Sequence, residues 1–426
     1  MNKKILAELL LANARKDRES VSEDLQQILS AIRTHLDMDI AFIAEFSQGK
    51  RVFKYIDSKK ESCVIKAGDS DPVNETYCHK IVNGEIPEHI TDTLKNPITE
   101  KLDVTTALSI RHYMGVPIRI ADGSIYGTFC CFNHKTDETI GERELSMLRI
   151  FADLAGKQID SNIKSNLEKK EMTDRVISIL DPSKLNMVYQ PIYDIQQDKI
   201  TGYESTLRVM TNPYRTPDVW INEAKQVGVS ANLEIMAIKK ATTELEQLPK
   251  DTYVSINTSP EHIINGAIAT ALKEISPKKV VLEITEHAPI TDYVEFREAL
   301  KPLRDRGILL AIDDAGAGYA SFQHILEIAP DVIKLDTSII HDVNVDPARH
   351  ALATAIISFA KETNAEIIAE GVETQEEYNA LRLLGVNKIQ GFYIGRPMPI
   401  LDAIALQRSE ISRSRQDSVE VLANVR

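Results

Sequence analysis

Apolar residues recur at helical spacing from Val21 to His35, where Leu25, Ile28, Leu29 and Ile32 share one face. The next segment, Ile40 to Phe46, reads as a strand, so a helix feeds a sheet. Further strands are expected at Val52 to Ile56, Tyr113 to Ile120 and Ser124 to Phe132. The last two flank Ala121-Asp122-Gly123, a short turn whose residues tolerate positive φ, and so form a hairpin. A mixed α/β domain on an antiparallel sheet follows.

From Gly141 to Ile179 only Gly156 breaks a run in which Leu148, Ala152, Ala155, Ile159, Ile163 and Leu167 recur mostly every three or four residues. This predicts one long helix. Its second half, Lys157 to Arg175, is polar apart from that thin seam, which suits a connector pairing with its twin in a homodimer. Beyond Pro182 short apolar runs alternate with helical patterns: Asn186 to Ile192, Val254 to Ile256, Val280 to Ile284, Ile308 to Ile312, Val332 to Leu335, Glu366 to Ala369 and Lys388 to Gln390. Such strand-helix repeats argue a parallel sheet, closed as a (β/α)8 barrel. The expected class is therefore α/β, a TIM-like barrel joined by a long helix to an α+β domain.

Composition narrows the function. With 426 residues, 43% of them hydrophobic and 27% charged, the chain has material for sizeable cores. A formal charge of -13 opposes binding to long nucleic acids or anionic membranes. Cys63, Cys78, Cys130 and Cys131 show neither a secreted disulfide framework nor zinc-finger spacing. The stretch from Ile5 to Ala12 is interrupted by Glu8 and reads as an amphipathic packing helix in place of a signal peptide. No run approaches the roughly 20 apolar residues needed to span a bilayer, and a cytoplasmic location is expected.

The chemistry lies where polar residues follow the apolar runs. Asn257 follows Val254-Ser255-Ile256, Glu283 follows Val280-Val281-Leu282, and Asp313-Asp314 follow Leu309-Leu310-Ala311-Ile312. Lys334 follows Val332-Ile333, Glu370 follows Ile367-Ile368-Ala369, and Gln390 follows Ile389. In a barrel of parallel strands these ends meet on one rim. Crowded carboxylates require a cation, and an all-oxygen set selects Mg2+ or Mn2+ over zinc. The adjacent pair Asp313-Asp314 could serve two metals, an arrangement used to activate water against a phosphodiester.

These residues fall in a pattern that closely resembles the EAL domain, the cyclic di-GMP phosphodiesterase of bacterial signalling. The resemblance rests on Tyr189-Gln190-Pro191-Ile192, Glu204-Ser205-Thr206-Leu207-Arg208, Asn257 in Ile-Asn-Thr-Ser-Pro, Leu282-Glu283-Ile284-Thr285-Glu286, Asp313-Asp314, Ile333-Lys334-Leu335-Asp336, Ala369-Glu370-Gly371-Val372-Glu373, and Gln390-Gly391 with Gly395-Arg396-Pro397. It implies two Mg2+ or Mn2+ ions per site, held by Glu204, Asn257, Glu283, Asp313, Asp314 and Glu370. It also implies catalytic roles for Glu370, as ligand or general base, and for Lys334, which would orient the attacking water. Gln190, Arg208 and Gln390 would contact substrate, with Glu373 supporting Glu370 and Glu286 anchoring the loop after Asp314. Two departures stand out: Glu-Ser-Thr replaces Glu-Ala-Leu, and Ala315-Gly316-Ala317-Gly318 replaces Phe-Gly-Thr-Gly, which removes loop contacts.

The first part of the chain resembles a GAF domain through Glu75-Thr76-Tyr77-Cys78, Ile110 to Ile118 and Asp122 to Cys131. Such domains are small-molecule or dimerisation sensors, and the sequence does not choose the ligand. Adjacent Cys130 and Cys131 must point to opposite sides of their strand, as buried thiols or as a redox sensor. The expected organisation is a GAF-like domain at 1–160, a helical connector at 161–178, an EAL domain at 179–410 and a polar tail at 411–426. The implied function is metal-dependent hydrolysis of cyclic di-GMP to linear pGpG under GAF control. The alternative is a weakly active or inactive EAL domain serving as a cyclic di-GMP receptor or scaffold.

Overall fold

A helix over residues 23–35 precedes the strands β1 (Ile40–Ser47), β2 (Lys50–Ser58), β3 (Ser70–Pro72), β4 (His89–Ile90), β5 (His112–Arg119) and β6 (Ile125–Asn133). In this computed structural model, which describes residues 23–59, 65–276, 279–285, 289–316 and 320–409, the six strands form one sheet in the order β3-β2-β1-β6-β5-β4. Every pairing in it is antiparallel. Alternation along the strands builds two cores, one on each face. Ala41, Ile43, Val116 and Cys131 pack on one side with Leu25, Leu29 and Ile32 of the first helix and with Leu148, Ala152 and Ala155. Phe42, Phe53, Tyr113, Cys130 and Phe132 pack on the other. The expected hairpin is present, with Gly123 at φ +83°.

The long helix runs from Glu142 to Ile179. Its apolar seam is buried as far as Ile159, whereas Ile163 and Leu167 are 44% and 56% exposed. Contacts divide the chain between Met172 and Thr173 into two units. Among the described residues no helix is long and apolar enough to cross a membrane. The expected helix over Ile5 to Ala12, the loop residues Ala317 and Gly318, Glu286 and the tail after 410 lie outside the described residues.

The second unit contains β7 (Leu185–Asp194), β8 (Lys199–Val209), β9 (Tyr253–Asn257), β10 (Val280–Thr285), β11 (Leu309–Ala315), β12 (Val332–Leu335), β13 (Glu366–Ala369) and β14 (Lys388–Gln390). They close into a barrel in the order β10-β11-β12-β13-β14-β7-β8-β9. One strand departs from the wholly parallel expectation: β7 runs antiparallel to both β8 and β14. The cause is local. Asp194 accepts the amides of Gln196 and Gln197 at 3.0 and 2.8 Å, which turns the chain at once into β8, and strands joined by so short a turn must oppose each other.

The barrel interior is layered. Ile192, Val281, Ala311, Val332 and Ile368 form an apolar plug. Side chains alternate along a strand, so two residues further toward the C-terminal rim the same interior positions fall to Glu283, Asp313, Lys334 and Glu370. On the reversed strand β7 the same step runs backward, from Ile192 to Gln190. An apolar floor thus carries a charged layer.

Candidate active site

Lys334 is the hub of that layer. Its side chain is fully buried, and its Nζ lies 2.8 Å from Glu370 Oε1, 2.9 Å from Asp313 Oδ1, 3.0 Å from Glu283 Oε1 and 3.3 Å from Glu204 Oε2. Strands β8, β10, β11, β12 and β13 each deliver one of these groups from just past the apolar floor, Glu370 being the first residue after its strand. Glu283 is also completely buried, and Ser255 donates to its Oε1 at 2.5 Å while Oε2 has no hydrogen-bond partner.

One ammonium facing four carboxylates leaves an excess of negative charge away from water, and the protonation states respond. Burial works against the Lys334 charge, yet the surrounding carboxylates outweigh it and hold its pKa well above the usual lysine range. Burial also drives Glu283 up to about 8, beyond the lowering effect of Lys334, with Glu204 and Asp313 adding repulsion. Glu370 is raised well above the ordinary carboxylate value by burial and by the charges of Asp313 and Glu204. For Glu204 burial is outweighed by Lys334 and by hydrogen bonds from Gln390, Lys334 and Asn257, so its pKa falls.

A bulge in β11 shapes the other side of the site. The register with β12 slips between Ile312 and Ala315, and Asp314 sits at φ +59°, the left-handed region that aspartate enters more readily than most residues. Two adjacent carboxylates can then serve one site, whereas regular alternation would send them to opposite faces. Asp313, Asp314 and Glu370 bring a carboxylate oxygen each within 4.8 Å of one another. An all-oxygen cluster with surplus negative charge and an orphaned Glu283 oxygen fits a hard divalent cation such as Mg2+ or Mn2+.

Asn257, Gln390 and Gln190 form a chain of amide hydrogen bonds that ends on Glu204. Asn257 Nδ2 donates to Glu204 Oε1 at 3.3 Å, and Gln390 Nε2 donates to Glu204 Oε2 at 2.6 Å. Gln390 also donates to Gln190 Oε1 at 3.2 Å, and Gln190 Nε2 donates to the Gly395 carbonyl at 3.3 Å. Arg208 lies on the same side of β8 as Glu204, four residues toward the rim, partly exposed and donating to the Leu207 carbonyl at 2.9 Å. A cavity of about 420 Å³ adjoins Asn257, lined also by Thr206, Leu207, Pro217, Ile221 and Thr285, while Arg208 and the carboxylates about Lys334 do not line it.

Glu373 stands apart. It is exposed, and its amide, not its carboxylate, is engaged, donating to Glu377 Oε2 at 2.9 Å. Buried Glu377 also accepts the amides of Thr374 and Asp342, which fixes the segment after Val372. Glu377 closes a capping box with Thr374, and the Thr-x-x-Glu spacing was the available signal. Two further contributors escaped the sequence reading. Ser255 is one, two residues before Asn257 and hence on the same face. Glu234 is the other: it accepts from Thr258 Oγ1 at 2.5 Å, Ser259 N at 3.1 Å and His262 Nδ1 at 2.8 Å, fixing the loop that follows Asn257.

Comparison with known proteins agrees with this geometry. The chain matches the EAL domain over residues 176–397 and the GAF domain over residues 20–159. PdeD of Escherichia coli K12, described as a probable cyclic di-GMP phosphodiesterase, is 31% identical over 223 residues, 50% of this chain and 41% of its own length. PdeN of the same organism, described in the same words, is 24% identical over 451 residues, 91% of this chain and 86% of its own length. The chain spans between 31% and 41% of the length of the first curated relatives it matches. Among solved structures, the cAMP-bound EAL enzyme Bd1971 shares the fold at a TM-score of 0.52 and 18% identity, over 87% of this chain and 93% of its own. An EAL domain protein from Listeria monocytogenes EGD-e does so at 0.50 and 23%, over 54% of this chain and 95% of its own. A GAF domain followed by an EAL domain that spans more than half of the residues establishes that the chain belongs to the EAL family.

Proposed function

We propose that this protein hydrolyses cyclic di-GMP to linear pGpG at the rim of the barrel. The observation that carries the reading is the ring of Glu204, Glu283, Asp313, Asp314 and Glu370 gathered about Lys334. Glu204, Asn257, Glu283 and Asp313 would hold one Mg2+ or Mn2+, and Asp313, Asp314 and Glu370 a second. Bound there, such ions polarise the phosphoryl oxygens and acidify a water.

The chain's own groups complete the chemistry. Lys334, fixed by four carboxylates, orients the attacking water, and Glu370 beside it accepts the proton. Arg208 offers a guanidinium fork to the phosphate oxygens, with Gln190 and Gln390 positioning the substrate. The water oxygen bonds to phosphorus, one ester P–O bond breaks, and the departing sugar oxygen takes up a proton. The first unit would regulate this as a GAF sensor, the long helix joining two copies in a homodimer.

The test is turnover of cyclic di-GMP by the purified protein with Mg2+ or Mn2+, alongside Glu204→Ala and Glu370→Ala. Hydrolysis by the parent and its loss in both variants is the expected result. Tight cyclic di-GMP binding without turnover in the parent would instead establish a receptor.

A further inference from the structure

The first unit holds a group of reactive side chains that the barrel chemistry does not use. Cys78, on the helix Tyr77–Val82, and Cys130, on β6, are fully buried in one core with their sulfurs 3.8 Å apart. Arg51 from β2 joins them. The residue is only 3% exposed, and its guanidinium donates from Nη1 to Cys78 Sγ at 3.9 Å and lies 4.2 Å from the Phe53 ring centroid. Tyr113 brings its hydroxyl within 3.6 Å of Cys78 Sγ. Cys131, one residue on, belongs to the core on the opposite face of the sheet.

We propose that Cys78 and Cys130 are a peroxide-sensitive dithiol pair, with Cys78 the attacking thiolate and Cys130 the resolving thiol. A buried guanidinium needs a counter-charge, and its carboxylate partner Asp71 is half exposed, so a thiolate at Cys78 answers that need from the inner side. The two sulfurs differ accordingly. Burial would raise both, but Cys130 and Arg51 reverse this for Cys78 and hold it below the ordinary thiol value. Cys130, buried and facing that charge, is raised and keeps its proton.

The chemistry balances. The Cys78 thiolate attacks hydrogen peroxide, forming an S–O bond as the O–O bond breaks and hydroxide leaves, which gives a sulfenic acid. Cys130 then attacks that sulfur, the S–O bond breaks, and its thiol proton leaves with the hydroxyl as water. Two thiols are oxidised and one peroxide is reduced. The disulfide ties the helix Tyr77–Val82 to a central strand across 52 positions of sequence.

The test uses the full chain carrying Cys63→Ser. The protein is treated with excess hydrogen peroxide, alkylated in denaturant, digested and mapped by mass spectrometry. The expected product is a peptide pair linking Cys78 to Cys130, about 2 Da lighter than the free thiols and released by dithiothreitol, with Cys131 recovered alkylated. Adding Cys130→Ser should abolish the link and leave a dimedone-reactive sulfenic acid at Cys78. Recovery of both Cys78 and Cys130 as alkylated thiols, a link through Cys131, or oxidation of Cys78 beyond the sulfenic acid without a link would overturn the proposal.

Discussion

Replacing Lys334 with methionine tests the electrostatic design of the barrel site. The substitution keeps an unbranched chain in a fully buried position and removes the charge that four carboxylates face at 2.8 to 3.3 Å. At about 3 Å and an effective dielectric near 20, each contact is worth about 5 kcal/mol before desolvation. Burying the ions offsets most of this, and breaking a buried pair costs about 3–5 kcal/mol net. For a unit of this size that lowers Tm by roughly 6–20 °C. The assay is thermal unfolding without divalent cations, followed by the fluorescence of Trp220, the single tryptophan of the chain and buried in the second unit. The deficit should shrink as pH falls from 8 toward 5, because carboxylates that take up protons no longer repel. A fall of less than about 2 °C, or a deficit that does not change with pH, would refute the reasoning that Lys334 neutralises this layer.

Arg208→Lys should weaken cyclic di-GMP binding about 10- to 100-fold by isothermal calorimetry, since an ammonium cannot reproduce a two-pronged contact; unchanged affinity would remove Arg208 from the phosphate site. Gly371→Ala should destabilise the second unit by more than about 1 kcal/mol in urea unfolding, because φ is +69° and the added carbon would meet Thr337 Oγ1 at 2.4 Å. His112 is buried, and burial together with the neighbouring His89 depresses its pKa to about 4. The unfolded chain then binds more protons than the folded one between that value and the ordinary histidine value near 6.5, so stability is present above about 6.5 and is lost as pH falls toward 4. His112→Gln should flatten this loss in thermal unfolding of the first unit, and an unchanged slope would assign it elsewhere.

What the sequence revealed follows from where each strand keeps its apolar residues. Strands β10 to β13 each carry a short apolar run with a polar residue at or just past its end, because both faces are covered until the rim, so the runs and the residues that follow them could be read directly. Strand β8 hid itself: Glu204, Thr206 and Arg208 alternate on one side of it, and a strand that lines a polar site has no apolar run to find. The reversal of β7 depends on the turn at Asp194, a matter of side-chain hydrogen bonds and not of periodicity. Glu377 is of the same kind: its capping box with Thr374 is local side-chain hydrogen bonding that apolar periodicity does not report. Lys334 was expected to orient water, but its fourfold contact depends on tertiary convergence that no local window contains.

The central claim is that the acidic ring about Lys334 is a hydrolytic site. The most direct measurement is chromatographic detection of pGpG from cyclic di-GMP and the full-length protein, with Mg2+ or Mn2+ and again with excess EDTA. Linear pGpG accumulating over many turnovers with cation, and none with EDTA, is the predicted result. Cyclic di-GMP recovered intact from folded, cation-supplied protein would contradict it.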